Sequence, residues 1–234
     1  MCNFQLFGRI RLPAVVVACG FLAVMPLTTL AKDKLPEVSS DGLHLLPHSK
    51  LRAVYVKPGA TLDQYTKVKL LDCFVQFAKH WEQDYNLNEV GLEGRVTNKD
   101  ADEIKQRLAT EFRAEFTKRL EKKGYPVVDE VGPDVLLLRP ALINLEVTAP
   151  DLMQPNMMET LVASAGEMTL YMEMYDSATS ELLVRVIDPD VDRGMGAEVA
   201  NEVSNKAAAD RIISRWADLL IKHLGHVKES VSSQ

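Results

Sequence analysis

The alternation between Val135 and Val147 constrains the fold more than any other stretch of this chain. Val135, Leu137, Ala141, Ile143, Leu145 and Val147 recur with a period of two, and only Arg139 interrupts that face. A strand gathers such a series on one side and a helix does not. The same period holds at 168–175, where Met168, Leu170, Met172 and Met174 alternate with Thr169, Tyr171, Glu173 and Tyr175. Asp176-Ser177-Ala178-Thr179-Ser180 supplies turn chemistry, and Leu182, Val184 and Val186 carry a further strand to Asp188. A short turn between two alternating runs makes them antiparallel neighbours.

Upstream, Ala53-Val54-Tyr55-Val56 is a short strand stopped by Pro58-Gly59. A second strand is expected near 67–77, with Leu71, Cys73, Val75 and Phe77 on one face, followed by a long polar loop over 79–97. A helix then starts on the capping oxygens of 97–100 and carries a stripe of Ile104, Leu108, Phe112, Phe116 and Leu120. Gly124 ends it. A last helix presents Ala208, Ile212, Trp216, Leu219, Leu220 and Leu224, with Gly225 as its stop. The order β-β-α-β-β-β-α predicts an α+β fold. Its antiparallel sheet has about five strands, with two amphipathic helices packed on one face.

The N-terminus has a different character. Arg9 and Arg11 precede an uncharged run from Leu12 to Leu30, and Ala31 leads into Lys32-Asp33-Lys34. A basic end, an apolar middle and a small residue at the boundary read as a secretory leader cut after Ala31. The alternatives are a retained anchor, since the run nears the roughly 20 residues needed to span a bilayer, and a lipoprotein cut before Cys19, where Val16-Val17-Ala18-Cys19 approximates a lipobox. Four regions follow: a signal peptide at 1–31, a linker at 32–50 rich in Pro, Ser and Gly, one domain at 51–226, and a disordered tail at 227–234.

The leader holds two of the 27 basic residues and none of the 33 acidic ones, so its removal takes the net charge from −6 to −8. An acidic domain without a basic patch is repelled by nucleic acid and anionic headgroups. Nucleic acid is therefore excluded as a partner, and membrane contact is expected only if the leader is retained or lipidated. Of the three cysteines, Cys2 and Cys19 fall in the leader, leaving Cys73 as a buried small hydrophobe with no disulfide partner.

Several stretches resemble a known family. They are Val54-Tyr55-Val56-Lys57-Pro58-Gly59 with Tyr65 downstream, Gly124-Tyr125-Pro126-Val127-Val128-Asp129 with Gly132-Pro133-Asp134-Val135-Leu136, Tyr175-Asp176-Ser177-Ala178-Thr179 leading to Asp188, and Trp216-Ala217. The chain is similar over roughly 50–225 to domain-of-unknown-function family 3313, exported bacterial proteins often read as lipoproteins. Ser180 stands where that family usually has Gly. The resemblance implies a cell-envelope location, in the periplasm or at the outer membrane, and implies no activity.

Candidate sites are few. Asp188, Asp190 and Asp192 alternate as calcium loops do, but Arg193 stands where such a loop needs Gly and Val199 where it needs Glu, so a solvated strand end interrupted by Pro189 is expected. Met153, Met157 and Met158 lie in an irregular apolar segment at 148–165; they suit a partner surface or core, with copper binding as the minor reading. His44, His48, His80, His223 and His226 do not form a ligand set. Asp72, Arg139 and Glu146 are polar positions in strands; Arg139 either pairs with a buried carboxylate or binds an anion. No Gly-x-Ser-x-Gly, Walker loop or His-Glu-x-x-His is present. No catalytic, cofactor-binding or metal residue is assigned. The expectation is an exported, non-enzymatic envelope protein that binds or assembles with a protein partner through 148–165. The alternative is a small-ligand- or cation-binding periplasmic domain, including an enzyme of unrecognised type.

Overall fold

The computed structural model describes residues 35–89, 95–147, 160–162, 166–191, 198–200 and 202–231. The expected leader, Asp192 and the Met153, Met157 and Met158 cluster lie outside the described residues. The elements are β1 (His44–Leu45), β2 (Ala53–Val56), β3 (Lys67–Leu70), β4 (Phe74–Phe77), α1 (Trp81–Asn88), α2 (Asn98–Lys122), β5 (Val135–Val147), β6 (Thr160–Val162), β7 (Gly166–Asp176), β8 (Leu182–Val191), β9 (Glu198–Ala200) and α3 (Glu202–Val231). The fold is α+β. The main sheet runs β1-β2-β8-β7-β5, with β3 and β4 both paired to the far side of β5.

The expected sheet of about five antiparallel strands is corrected to a mixed sheet of seven. β3 and β4 run parallel to β5, and the reason is topological. Helix α2 lies between β4 and β5, and a helix returns the chain to the end where the preceding strand began, so the next adjacent strand runs the same way. The expected two helices become three, because Trp81–Asn88 of the supposed loop forms α1.

The expected single strand over 67–77 is broken. Val68 and Leu70 are buried in β3, and Cys73 and Val75 in β4. Buried positions of even number give way to odd ones, and no unbroken strand permits that change of phase. Residues 71–73 absorb it, and Arg113 of α2 braces the break by donating to the Leu70 carbonyl at 2.8 Å.

Helix α2 is closed at both ends by local chemistry. The Thr97 hydroxyl accepts from the Asp100 N–H at 3.3 Å, and the Asp100 carboxylate accepts from the Thr97 N–H at 2.8 Å, a capping box. At the other end Gly124 takes φ 81°, which costs glycine little. The Tyr125 N–H reaches the Leu120 carbonyl and the Gly124 N–H that of Glu121, each at 3.0 Å, in a Schellman arrangement. Phe112, Phe116 and Leu120 are buried against the sheet as the stripe requires, while Leu108 is only partly buried. α3 buries Ala208, Ile212, Trp216, Leu220 and Leu224. It continues to Val231, past the stop expected at Gly225.

In β7 the buried face is Met168, Leu170, Met172 and Met174, as the alternation predicts. In β5 the assignment of faces is overturned. Leu136, Leu138 and Leu142 are fully buried, whereas Leu137, Ala141 and Ile143 are half-exposed. β5 is a central strand with apolar residues on both sides, so alternation alone does not say which side meets the helices. A bulge after Ile143, with Asn144 at φ 52°, then returns Leu145 to the core. No described helix is long and apolar enough to cross a membrane.

Candidate functional site

Arg139 is not a breach in the core; it stands on the sheet face away from α2 and α3. Strand register places Arg139, Glu173, Arg185 and Tyr55 side by side across β5, β7, β8 and β2. Glu173 is the centre. Its side chain is 3% exposed, and Tyr171, two residues back, donates to its Oε1 at 2.9 Å while Tyr175, two residues on, donates to Oε2 at 2.7 Å. Arg185 donates to Oε1 from Nε at 3.1 Å and from Nη2 at 3.0 Å. Arg139 pairs with Oε2. Arg185 also grips Asp41, which is held in turn by Ser39. The guanidinium of Arg139 lies 5.3 Å from the Tyr175 ring centroid, and that of Arg185 5.8 Å from the Tyr171 centroid.

Titration behaviour follows from these contacts. Burial alone would raise the Glu173 pKa, but hydrogen bonds from Tyr175, Tyr171, Arg185 and Arg139 together lower it. Burial first, and the Glu173 carboxylate second, push Tyr175 up to about 12 and raise Tyr171 as well. The Arg185 side chain, then the Ser39 hydroxyl, bring Asp41 down to about 2. Every oxygen lone-pair direction of Glu173 is occupied, and its tyrosines are held neutral. Such a carboxylate cannot serve as a general base. The cluster is a hydrogen-bonded polar platform on the sheet face away from the helices.

Other expected positions are dispersed. Asp72 is exposed in the β3–β4 break and pairs with Arg113 at 3.3 Å, and Glu146 is exposed on β5. Cys73 is buried, its thiol pushed up to about 12 by burial. The strand end expected at the acidic run is corrected: β8 continues through Pro189 to Val191. Asp188 accepts from the Trp216 indole N–H at 2.8 Å and from the Arg52 N–H at 2.7 Å, and Asp190 pairs with Arg215. These two carboxylates fasten α3 and the start of β2 to β8. His44 lies in β1, His80 caps α1 in a left-handed conformation, and His223 bonds the Leu219 carbonyl. Among the described residues no group of His, Cys, Asp and Glu could hold a metal ion.

The second notable region is one end of the sheet. Val147 and Gly166 are paired across β5 and β7, and Glu167 with Val191 across β7 and β8. Between Val147 and Gly166 the chain makes the long excursion 148–165, and from Val191 it makes another before α3. The two excursions meet, because β6 in the first pairs antiparallel with β9 in the second. The root of the first is pinned by the Trp81 indole, which donates to the Val147 carbonyl at 3.2 Å. Trp81 is itself stacked on Phe77, with centroids 4.0 Å apart.

Fold and site together define a small α+β domain, helix-covered on one sheet face, with a second short strand pair formed by β6 and β9. Its sequence assigns it more closely. Residues 39–220 match the family described as "Protein of unknown function (DUF3313)", and the chain belongs to that family. The solved structures to which it is similar are distant. A PelC dodecamer from Paraburkholderia phytofirmans is 10% identical, with a TM-score of 0.34 over 69% of this chain and 93% of that chain. A DUF4136 family protein from Bacteroides thetaiotaomicron is 13% identical, with a TM-score of 0.37 over 73% and 95%. A PDZ domain protein from Parabacteroides distasonis is 9% identical, with a TM-score of 0.36 over 69% and 33%. No curated protein matches in sequence.

The pairing of Arg139 with a buried carboxylate was expected from the sequence; that the carboxylate is Glu173, ringed by Tyr171, Tyr175 and Arg185, was not. Tyr171, Glu173 and Tyr175 share one face of β7, and folding the 176–180 turn places Arg185 opposite Glu173.

Proposed function

We propose that this is an exported, non-enzymatic protein of the cell envelope that binds or assembles with a protein partner through residues 148–165. The observation that carries the reading is the excursion between Val147 and Gly166. These residues are already paired, and a two-residue turn would join them. A long loop in place of a tight turn, set on a rigid sheet, is where binding function concentrates. Its β6 pairs with β9 of the second excursion, which ties the two segments together. Export rests on the uncharged run 12–30 and on the small residue Ala31 that follows it.

The test is site-specific photo-crosslinking from 148–165 in intact cells, followed by fractionation and mass spectrometry. A single recurring envelope protein is the expected product, with the leader absent from the recovered chain. Met157→Ser with Met158→Ser reduces that product while leaving the melting temperature unchanged. Retention of the full-length chain in the cytosol overturns the reading.

A further inference from the structure

On the other side of the sheet, beneath α3, the core is incompletely filled. A cavity of about 120 Å³ lies among Val54, Val56, Met172, Met174, Trp216 and Leu220. All but Val56 are buried. Its rim is formed by exposed Leu46, half-buried Ala60 and exposed His223. Its size approaches the roughly 150 Å³ dry cavities that take up one benzene. Methionine side chains in the wall can adjust to a guest where branched ones cannot. His223 has Nδ1 committed to the Leu219 carbonyl at 2.7 Å, so Nε2 is the ring nitrogen left for a polar group at the rim.

We propose that this cavity is a binding site for a short alkyl chain end, about four to six carbons long, whose polar head stays at the His223 rim. The site is independent of the loop surface, since it opens on the helix-covered side near the β2–β3 connection. The wall offers no partner to a second polar group, so only chains with one apolar terminus are accepted.

The chain contains two tryptophans, and Trp81→Phe leaves Trp216 in the cavity wall as the sole indole reporter. Titration of the full-length mature protein with 1-hexanol is expected to change Trp216 emission saturably. It also raises the melting temperature by about 3–6 °C at ten times the Kd. The probe 1,6-hexanediol, with a hydroxyl at each end, produces neither effect at equal concentration. Ala60→Phe plugs the rim and abolishes both responses. Methyl NMR of wild-type protein labelled at methionine reads the site without substitution. The Met172 and Met174 methyls move, and Met168, buried on the same strand but outside the lining, does not. Absence of a saturable response in wild type overturns the proposal. So does an equal response to hexanediol, or uniform movement of all methionine methyls.

Discussion

Replacing Glu173 by Gln separates a structural platform from an incidental surface pairing. Gln keeps the shape and one acceptor oxygen but removes the charge and turns an NH₂ group toward cationic neighbours. Arg139 has a 57% exposed side chain and can rehydrate, so its lost pairing contributes little. Arg185, at 16% exposure, keeps Asp41 but loses its inner partner. The Tyr171 and Tyr175 hydroxyls lose a charged acceptor. Three weakened, desolvated contacts at roughly 1 kcal/mol each give a loss of about 2–4 kcal/mol. For a domain of this size that lowers the melting temperature by roughly 5–15 °C. Urea unfolding at pH 7 measures the difference directly. The pH dependence gives an independent check. A carboxyl with a lowered folded pKa stabilises fully above its unfolded value, 4.5 for Glu. The contribution is lost as pH falls from there through the folded value. The gap between wild type and Glu173→Gln is therefore full at neutral pH and narrows in acid. A loss below 0.5 kcal/mol at pH 7, or a gap that persists unchanged below the folded pKa, refutes the reasoning.

Ser180 takes φ 60° in the β7–β8 turn, so Ser180→Gly removes left-handed strain and should raise the urea midpoint by the equivalent of about 0.5–1 kcal/mol. Asp188→Ala leaves the buried Trp216 indole N–H without its acceptor, and urea unfolding should show a loss of about 2–3 kcal/mol. Because Asp188 and Asp190 are occupied by Trp216, Arg52 and Arg215, millimolar calcium should leave the wild-type melting temperature where it was. The Cys73 thiol, buried and raised to about 12, should resist a disulfide reagent at pH 8 in the native protein and react promptly in 8 M urea.

What was legible in the sequence was local. The capping oxygens of Thr97 and Asp100, the stop at Gly124, the β7–β8 hairpin and the buried methionines of β7 all depend on neighbours a few residues away. The misreadings share another cause. The parallel pairing of β3 and β4 with β5, and the side of β5 that meets the helices, depend on which strands lie adjacent, and periodicity carries no information on adjacency. The kink at 71–73 was hidden because Leu71 and Phe77 share the parity of Cys73 and Val75, while the buried residues of β3 are Val68 and Leu70. The left-handed φ of Ser180 is likewise not visible in residue type. The Glu173 cluster required the hairpin register to be followed outward to Arg185 and, through β5, to Arg139.

Several of the motifs that carry the family resemblance gather at the end of the sheet opposite to Val147 and Gly166. Tyr65 donates to Asp176 at 2.8 Å, Ser177 bonds both the N–H and the carbonyl of Gly132, and Asp134 pairs with Lys67 at 3.0 Å. All lie where the β7–β8 turn closes the sheet, whereas 148–165 leaves from the opposite ends of β5 and β7. These contacts secure the fold, and the segment 148–165, proposed as a partner surface, leaves from the other end of the sheet. Replacing 148–165 by Asn-Gly should therefore leave a folded domain, since Val147 and Gly166 are already in antiparallel register and a type I′ turn suits that junction. Shortening the connection from about 18 residues to two returns roughly 2 kcal/mol of loop-closure entropy. That gain offsets the loss of the β6–β9 pairing. The shortened protein should melt within about 5 °C of wild type and give no envelope crosslink. If it fails to fold, as judged by near-ultraviolet dichroism, the excursion is part of the core and cannot be a separable recognition element.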